Sequence, residues 1–176
     1  METIMFKQLL WRFALFISLF SAGCTSTINS PHTKLPIHAS YAIGSFWNYT
    51  ETPMAGLRAA SIVEGVLSQK GITPYSLIQG VDDIAQNQSK ADALQATKEA
   101  AQKAGATYLI TGEVQEWRYK TGIDAEPVVS YSIKVIKLDD NSVAFNGVGA
   151  KSGWGDKSIG IVAQEVAQAL IPDFKP

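Results

Sequence analysis

The sequence contains one cysteine and two histidines among its 176 residues. A single cysteine excludes an intramolecular disulfide and a zinc site built from several thiolates. Charge is low and balanced, with 15 Lys and Arg against 16 Asp and Glu, so there is no basic field to hold nucleic acid, and we exclude that partner. His32 and His38 both lie in a polar, proline-containing stretch, where a general base would lack fixed geometry. We therefore predict no metal site, no cofactor and no histidine-dependent catalysis.

The chain opens with the layout of a secretory signal sequence. Two basic residues, Lys7 and Arg12, precede the apolar run Phe13–Phe20, and small residues follow it. The run is about half as long as the roughly 20 residues that a helix needs to cross a bilayer. We predict a signal peptide over residues 1–23 that is removed, rather than a transmembrane anchor.

The segment Ser-Ala-Gly-Cys at residues 21–24 resembles the lipobox of bacterial lipoproteins. This resemblance implies that Cys24 is acylated and becomes the first residue of the mature protein. Ser21 departs from the leucine that lipoproteins usually have three positions before the cysteine. The residue after the cysteine is Thr25 rather than aspartate, which under the lipoprotein sorting rule implies the outer membrane. We expect a lipid-anchored protein at the periplasmic face of that membrane.

The mature chain divides into a tether and one domain. Residues 25–40 include Pro31 and Pro36 and have no periodic apolar pattern. We therefore predict that residues 24–40 are the lipidated cysteine and a flexible tether, and that residues 41–176 form a single domain.

Amphipathic and β-favouring segments alternate from residue 41 onward. The apolar spacing predicts three helices, over 54–70, 90–104 and 159–170, with Gly71 and Gly105 ending the first two. Strands are predicted over 41–47, 72–78, 107–120, 128–138 and 143–150, and residues 139–142 close a hairpin. The order β-α-β-α-β-β-β-α predicts an α+β fold with a mixed sheet and helices packed on it.

No catalytic motif is complete. The glycines between Gly147 and Gly155 match neither the dinucleotide fingerprint nor the phosphate loop, and no GxSxG is present. Adjacent acids at Asp82–Asp83 and Asp139–Asp140 are candidates for a glycosidase pair, but their turn-like surroundings favour solvated aspartates. We predict that the protein is not an enzyme.

Aromatic residues are the remaining candidates for contacts. Trp154 stands between two glycines after the last strand, which predicts a partly exposed indole at a protein or membrane-headgroup interface. The alternative is an indole folded over the sheet edge. Trp117, Arg118 and Tyr119 crowd one strand end, either as a carbohydrate or subunit platform or through ordinary cross-strand packing.

Three segments form a recognisable pattern: the strand Ala42–Phe46, the helix start Gly56–Ala60, and Ala104–Val114, in which Ala-Gly-Ala runs into Leu-Ile-Thr-Gly-Glu-Val. Together they resemble the CsgG, LpoB and TolB-N-terminal group of periplasmic domains. Within that group, Asn48–Gly56 and Ser152–Trp154 are similar to the PelC family of Pel exopolysaccharide export systems.

The resemblance implies a non-catalytic outer-membrane lipoprotein that forms a dodecameric periplasmic ring. Such a ring guides a cationic amino-sugar polymer toward a PelB-like porin and supports the biofilm matrix. It implies that Trp154 contacts the membrane or the ring rim and that acids face the lumen. Our candidate acids, chosen because they lie in the connections that bound the long strands, are Asp124, Glu126, Asp139 and Asp140. The alternative is an LpoB-like activator of a peptidoglycan synthase, which needs a longer arm than residues 25–40.

Overall fold

The computed structural model describes residues 26–29, 33–78, 89–122, 125–154 and 156–176. The predicted signal peptide and Cys24 lie outside these ranges, as do the Asp82–Asp83 pair and Asp124. What the sequence predicts for them remains a prediction.

Three helices form where the apolar spacing predicts them. They are α1 (Ala55–Gln69), α2 (Lys90–Lys103) and α3 (Ile159–Leu170). Gly71 and Gly105 follow the first two with φ of +83° and +81°, values that glycine adopts without steric cost. Ser89 and Ser158 cap α2 and α3, each accepting a hydrogen bond from a backbone N–H three residues later. Within the described ranges, none of the helices combines the length and apolar character needed to span a membrane.

The strands build one mixed sheet and a small two-stranded ladder. They are β1 (Ser26–Asn29), β2 (Leu35–Pro36), β3 (Tyr41–Gly44), β4 (Trp47–Asn48), β5 (Tyr75–Leu77), β6 (Tyr108–Tyr119), β7 (Pro127–Lys137), β8 (Val143–Ser152) and β9 (Phe174–Lys175). The main sheet has the order β1-β8-β7-β6-β3-β5, and β4 also pairs with β6. The pairs among β3, β4, β5 and β6 are parallel, while β6-β7, β7-β8 and β8-β1 are antiparallel. The predicted α+β fold with a mixed sheet is confirmed.

The segment before residue 41 differs from the predicted tether. Ser26–Asn29 pairs antiparallel with β8, so this stretch adds a strand to the sheet edge. Leu35 is buried and pairs in parallel with Phe174 of β9. The partners of both strands lie far along the chain, where local patterns give no sign of them. The folded domain therefore includes residues that the sequence assigns to the tether.

The predicted first strand also differs, because it divides into β3 and β4. Phe46 lies between them and is buried in the core, with its ring edge toward Tyr131 at a centroid distance of 6.3 Å.

Helices pack on both faces of the sheet. α1 and α3 cover one face over the larger core, which includes Ile43 and Ile110. α2 packs against β3, β5 and β6, where Ala42 and Leu109 belong to a smaller core. Neighbouring residues of a strand point to opposite faces, so adjacent positions in β3 and β6 supply the two cores.

The long strands give the sheet two distinct ends. β6 and β8 finish at one end, where β7 begins, and we call it the Trp154 end. The β7–β8 hairpin closes the other, which we call the Asp139 end. β7 has 11 residues, which at about 3.3 Å per residue separates the two ends by roughly 35 Å.

Candidate functional site

Backbone and side-chain hydrogen bonds bring the connections together at the Trp154 end. The Gly153 N–H donates to the Pro127 carbonyl over 2.8 Å, which fixes the β8–α3 connection to the start of β7. The Ile159 N–H donates to the Tyr119 hydroxyl over 3.2 Å, which joins the start of α3 to the end of β6. Trp154 therefore lies in a connection that hydrogen bonds hold to the start of β7 and to the end of β6.

Asn48 shapes the connection from β4 to α1 at the same end. Its Oδ1 accepts hydrogen bonds from the Thr50 N–H and hydroxyl over 2.9 and 2.8 Å, and its Nδ2 donates to the Thr52 carbonyl over 2.9 Å. The Thr52 hydroxyl in turn donates to the Trp117 carbonyl of β6. The Asn-Tyr-Thr segment is thus a structural turn that brings the start of α1 to the Trp154 end. The turn-prone composition of residues 48–53 predicts a turn at this place, although it does not identify Asn48 as the residue that holds the turn.

Large apolar side chains are exposed at the Trp154 end. Trp154 is 53% exposed, and Tyr119 and Met54 are 49% and 43% exposed. An indole with half its surface in solvent is not folded over the sheet edge, so that alternative does not hold. Its role at an interface stays a prediction.

Burial removes Trp117 from any contact surface at the end of β6. Trp117 is only 3% exposed and belongs to the main core, as the cross-strand packing interpretation requires. Arg118 Nη2 lies 2.7 Å from Glu116 Oε1. The Tyr119 hydroxyl accepts a hydrogen bond from the start of α3, while its ring stays half exposed.

The candidate lumen acids are not brought together. Glu126 precedes β7 at the Trp154 end, where its Oε2 lies 2.8 Å from Lys120 Nζ. Asp139 and Asp140 lie in the β7–β8 hairpin at the opposite end. Successive hairpins of an antiparallel meander close at alternate ends, so acids from consecutive connections lie at opposite ends of the sheet. Glu126 and the aspartate pair are therefore separated along the strands, and their place in a lumen stays a prediction.

The Asp139–Asp140 pair keeps an excess of negative charge. Lys137 Nζ lies 2.7 Å from Asp139 Oδ2 and 3.8 Å from Asp140 Oδ2, so two carboxylates share one ammonium group. Hydrogen bonds from the hydroxyl and N–H of Ser142 hold the pKa of Asp140 below its usual value, so this exposed carboxylate is ionised at neutral pH. Asp139 also borders a groove of about 580 Å³ that His38 helps to line. The pair is built as turn aspartates rather than as an acid and base facing each other across a cleft.

No metal-binding cluster occurs in the part of the chain that the structure describes, since no three His, Cys, Asp or Glu side chains are grouped there.

Glu165 links α3 to β8 and to the β8–α3 connection that contains Trp154. Its Oε2 lies 2.8 Å from Lys151 Nζ, and its Oε1 lies 2.7 Å from Lys157 Nζ. Hydrogen bonds from these two ammonium groups hold the pKa of Glu165 below its usual value. The Lys157 N–H donates to the Trp154 carbonyl over 2.9 Å, so this carboxylate helps to hold the backbone turn that follows Trp154.

Replacement of Glu165 by glutamine is expected to lower stability at neutral pH by about 1 kcal/mol, because one carboxylate serves two partly exposed ion pairs. A folded pKa below the unfolded value means that the ionised group stabilises the fold above the unfolded pKa, near 4.5, and that this contribution is lost as the pH falls through the folded pKa. Thermal unfolding at neutral pH should therefore separate Glu165→Gln from the wild type, and the difference should shrink below pH 4.5. Glu64→Gln on α1 is the control. A pH-independent difference would contradict the assignment.

The fold and the Trp154 end place the chain among small mixed α+β domains. One such domain is the lipoprotein GNA1162 from Neisseria meningitidis, which matches with a TM-score of 0.54 and 14% identity over 73% of this chain and 93% of that one. This likeness shows the fold alone.

Two further structures show the family to which the chain belongs. A PelC dodecamer from Paraburkholderia phytofirmans matches with a TM-score of 0.69 and 30% identity, over 82% of this chain and 93% of that chain. A singly substituted PelC dodecamer from the same organism matches with a TM-score of 0.69 and 31% identity, over 82% and 95% of the two chains. The chain belongs to the PelC family, as the sequence resemblance predicts. No family model and no curated protein sequence matches it.

Proposed function

We propose that the protein is a non-catalytic outer-membrane lipoprotein whose copies form a periplasmic ring. In this proposal the ring guides Pel, a cationic exopolysaccharide, toward a PelB-like porin. The observation that carries the proposal is the similarity to a PelC dodecamer at 30% identity over 82% of the chain. An assembly of identical subunits and a part in exopolysaccharide export follow from membership of that family.

The course of β1 supports membrane contact at the Trp154 end. β1 runs antiparallel to β8, and Ser26 pairs with Lys151 near the end of that strand. Cys24 precedes Ser26 by two residues, a span of at most about 7 Å of extended chain. Acyl chains on Cys24 would enter the bilayer close to the exposed Trp154, and indoles favour the headgroup region. Anchor and indole would then hold the same end of the domain on the membrane.

This orientation directs the Asp139 end away from the membrane. A ring would repeat the excess negative charge of the Asp139–Asp140 pair around its axis. Such charge attracts a cationic chain over about a Debye length, roughly 8–10 Å at physiological salt. The hairpin acids, rather than Glu126, are therefore our candidates for contact with the polymer.

The pairing of β1 also weighs against the alternative of a peptidoglycan synthase activator. That role needs a long free arm between the lipid and the domain. Here Ser26–Asn29 pairs with β8, so the chain near Cys24 is bound to the domain.

Substitution of Trp154 by alanine is expected to weaken binding of the unlipidated domain to phospholipid vesicles about tenfold, because an indole at the headgroup level is lost. Vesicle flotation measures the bound fraction, and circular dichroism checks the fold. Tyr75→Ala on β5 is the matched control, since Tyr75 is 51% exposed but lies away from the Trp154 end. Equal loss in both variants, or unfolding of Trp154→Ala, would contradict a membrane-facing role for Trp154.

Deletion of the gene in its own strain tests the proposed function. If the ring guides export, the deletion strain should retain amino-sugar polymer in the periplasm and show little on its surface, and the wild-type chain should restore secretion. Polymer is measured in both fractions with an amino-sugar-specific lectin. Normal secretion by the deletion strain would contradict the proposal.

A further inference from the structure

None of the exposed residues of α3 is charged. Its exposed residues are Ile161, Gln164, Gln168 and Ala169. The strand beside it, β1, has the uncharged sequence Ser-Thr-Ile-Asn. By contrast, the exposed residues of α2 include Asp92, Glu99 and Lys103. A water-facing helix surface normally carries charged residues, so α3 is unusual within this domain.

Two of the exposed α3 residues lie on the side that faces β1. Ile161 and Gln168 stand four residues before and three residues after Glu165, so all three share one helix face. Glu165 contacts Lys151 of β8, and Lys151 pairs with Ser26 of β1. This side of α3 is therefore directed toward β1.

Ile28 of β1 lies on the same side of the sheet as α3. It pairs with Gly149 of β8, and directly opposite residues of a ladder point to the same face. A Cβ atom placed on Gly149 would contact Val166 and Leu170 of α3 at 3.0 and 3.1 Å, which identifies that face. Ile28 is 36% exposed and Ile161 is 49% exposed. We use the name α3–β1 surface for Ile28, Ile161, Gln164 and Gln168 together with the outer edge of β1.

The chemistry of the α3–β1 surface is that of an interface. β1 pairs only with β8 among the described residues, so its outer edge presents unpaired backbone N–H and C=O groups. Natural proteins protect such edges with charge, and this edge has none. The one acid of α3, Glu165, is held by two lysines within the subunit. Centres of protein interfaces are depleted in charged residues in the same way.

We propose that the α3–β1 surface is one half of the contact between neighbouring copies of this chain. The inference rests on the proposed ring. In a head-to-tail contact every subunit presents one surface to the copy before it and a different surface to the copy after it, and repetition closes a ring. A second copy is the occupant because the solved relatives at 30% and 31% identity are dodecamers.

Gln168→Arg in the full-length, lipidated protein tests the inference. An arginine there would bring an unpaired charge into the contact, so assembly should need at least about tenfold more protein. Sedimentation velocity in detergent measures the distribution between ring and monomer. Gln95→Arg on α2 is the matched control, because Gln95 is exposed on the opposite face of the sheet. Circular dichroism verifies that both variants are folded.

A photo-crosslinking residue at position 168, with one at 95 as control, gives a second readout in intact cells that leaves the charge unchanged. Crosslinked multimers from position 168 but not from 95, together with loss of the ring in Gln168→Arg, would support the inference. Intact rings in Gln168→Arg, without crosslinks from position 168, would overturn the inference but not the proposed ring. Equal loss of the ring in Gln95→Arg would also overturn the inference. A wild-type protein that is monomeric would overturn the proposed function itself.

Discussion

Alanine at Gly112 is expected to destabilise the domain by about 3 kcal/mol, the upper range for overpacking a core. The added Cβ would lie 2.2 Å from the carbonyl oxygen of Ser132 and 2.5 Å from Cε2 of the Phe46 ring. Ser132 O is backbone of a central strand, and Phe46 is only 3% exposed, so neither can yield without shifting the core. For a domain of this size the midpoint of thermal unfolding should fall by roughly 6–12 °C.

Gly65→Ala is the matched control for this experiment. A Cβ at Gly65, on the exposed side of α1, would meet nothing within 4 Å. Alanine should therefore raise stability by about 0.5–1 kcal/mol, through helix propensity alone. Thermal unfolding followed by circular dichroism measures both variants. If Gly112→Ala unfolded at the wild-type temperature, the tight packing of Phe46 against β6 would be contradicted.

Loss of membrane attachment is the second large effect that we expect, and Cys24→Ser should cause it. Without the thiol no acyl chain can be attached. Each buried CH₂ contributes about 0.8 kcal/mol to membrane binding, so loss of all the chains removes far more affinity than any side chain can supply. Labelling with an alkynyl fatty acid and sucrose-gradient separation of the two membranes should show no labelled protein and no outer-membrane fraction.

Ser21→Leu provides the control for the lipobox, since it restores the usual leucine three positions before the cysteine. It should be labelled and sorted at least as well as the wild type. A wild-type chain that takes up no fatty acid would contradict lipidation at Cys24.

The helices and long strands follow from the sequence because their signals are local. The apolar spacing of α1 and α3, the glycines after α1 and α2, and the β-favouring runs of β6, β7 and β8 lie within the elements themselves. β1, β2 and β9 were missed because two to four residues carry no periodicity, and their pairing depends on partners distant in the chain. Phe46 divides the first strand for a similar reason, since its ring packs against β6 and β7, which are distant in the chain.

The candidate site was predictable only in part. The exposure of Trp154 follows from its two glycine neighbours, which offer no side chain to cover it. The lumen acids were selected by position in the chain, and the meander places Glu126 and the Asp139–Asp140 pair at opposite ends. The α3–β1 surface had no sequence signal, because β1 appeared to be a linker and an uncharged helix face is notable only once its exposure is known.

Native mass spectrometry of the mature chain, residues 24–176 with Cys24→Ser, tests the central claim most directly. If this member of the PelC family assembles as its solved relatives do, the spectrum should show a closed species near twelve subunits. Specific assemblies persist at protein concentrations on the order of tens of micromolar. A protein that is strictly monomeric at such a concentration would contradict the account.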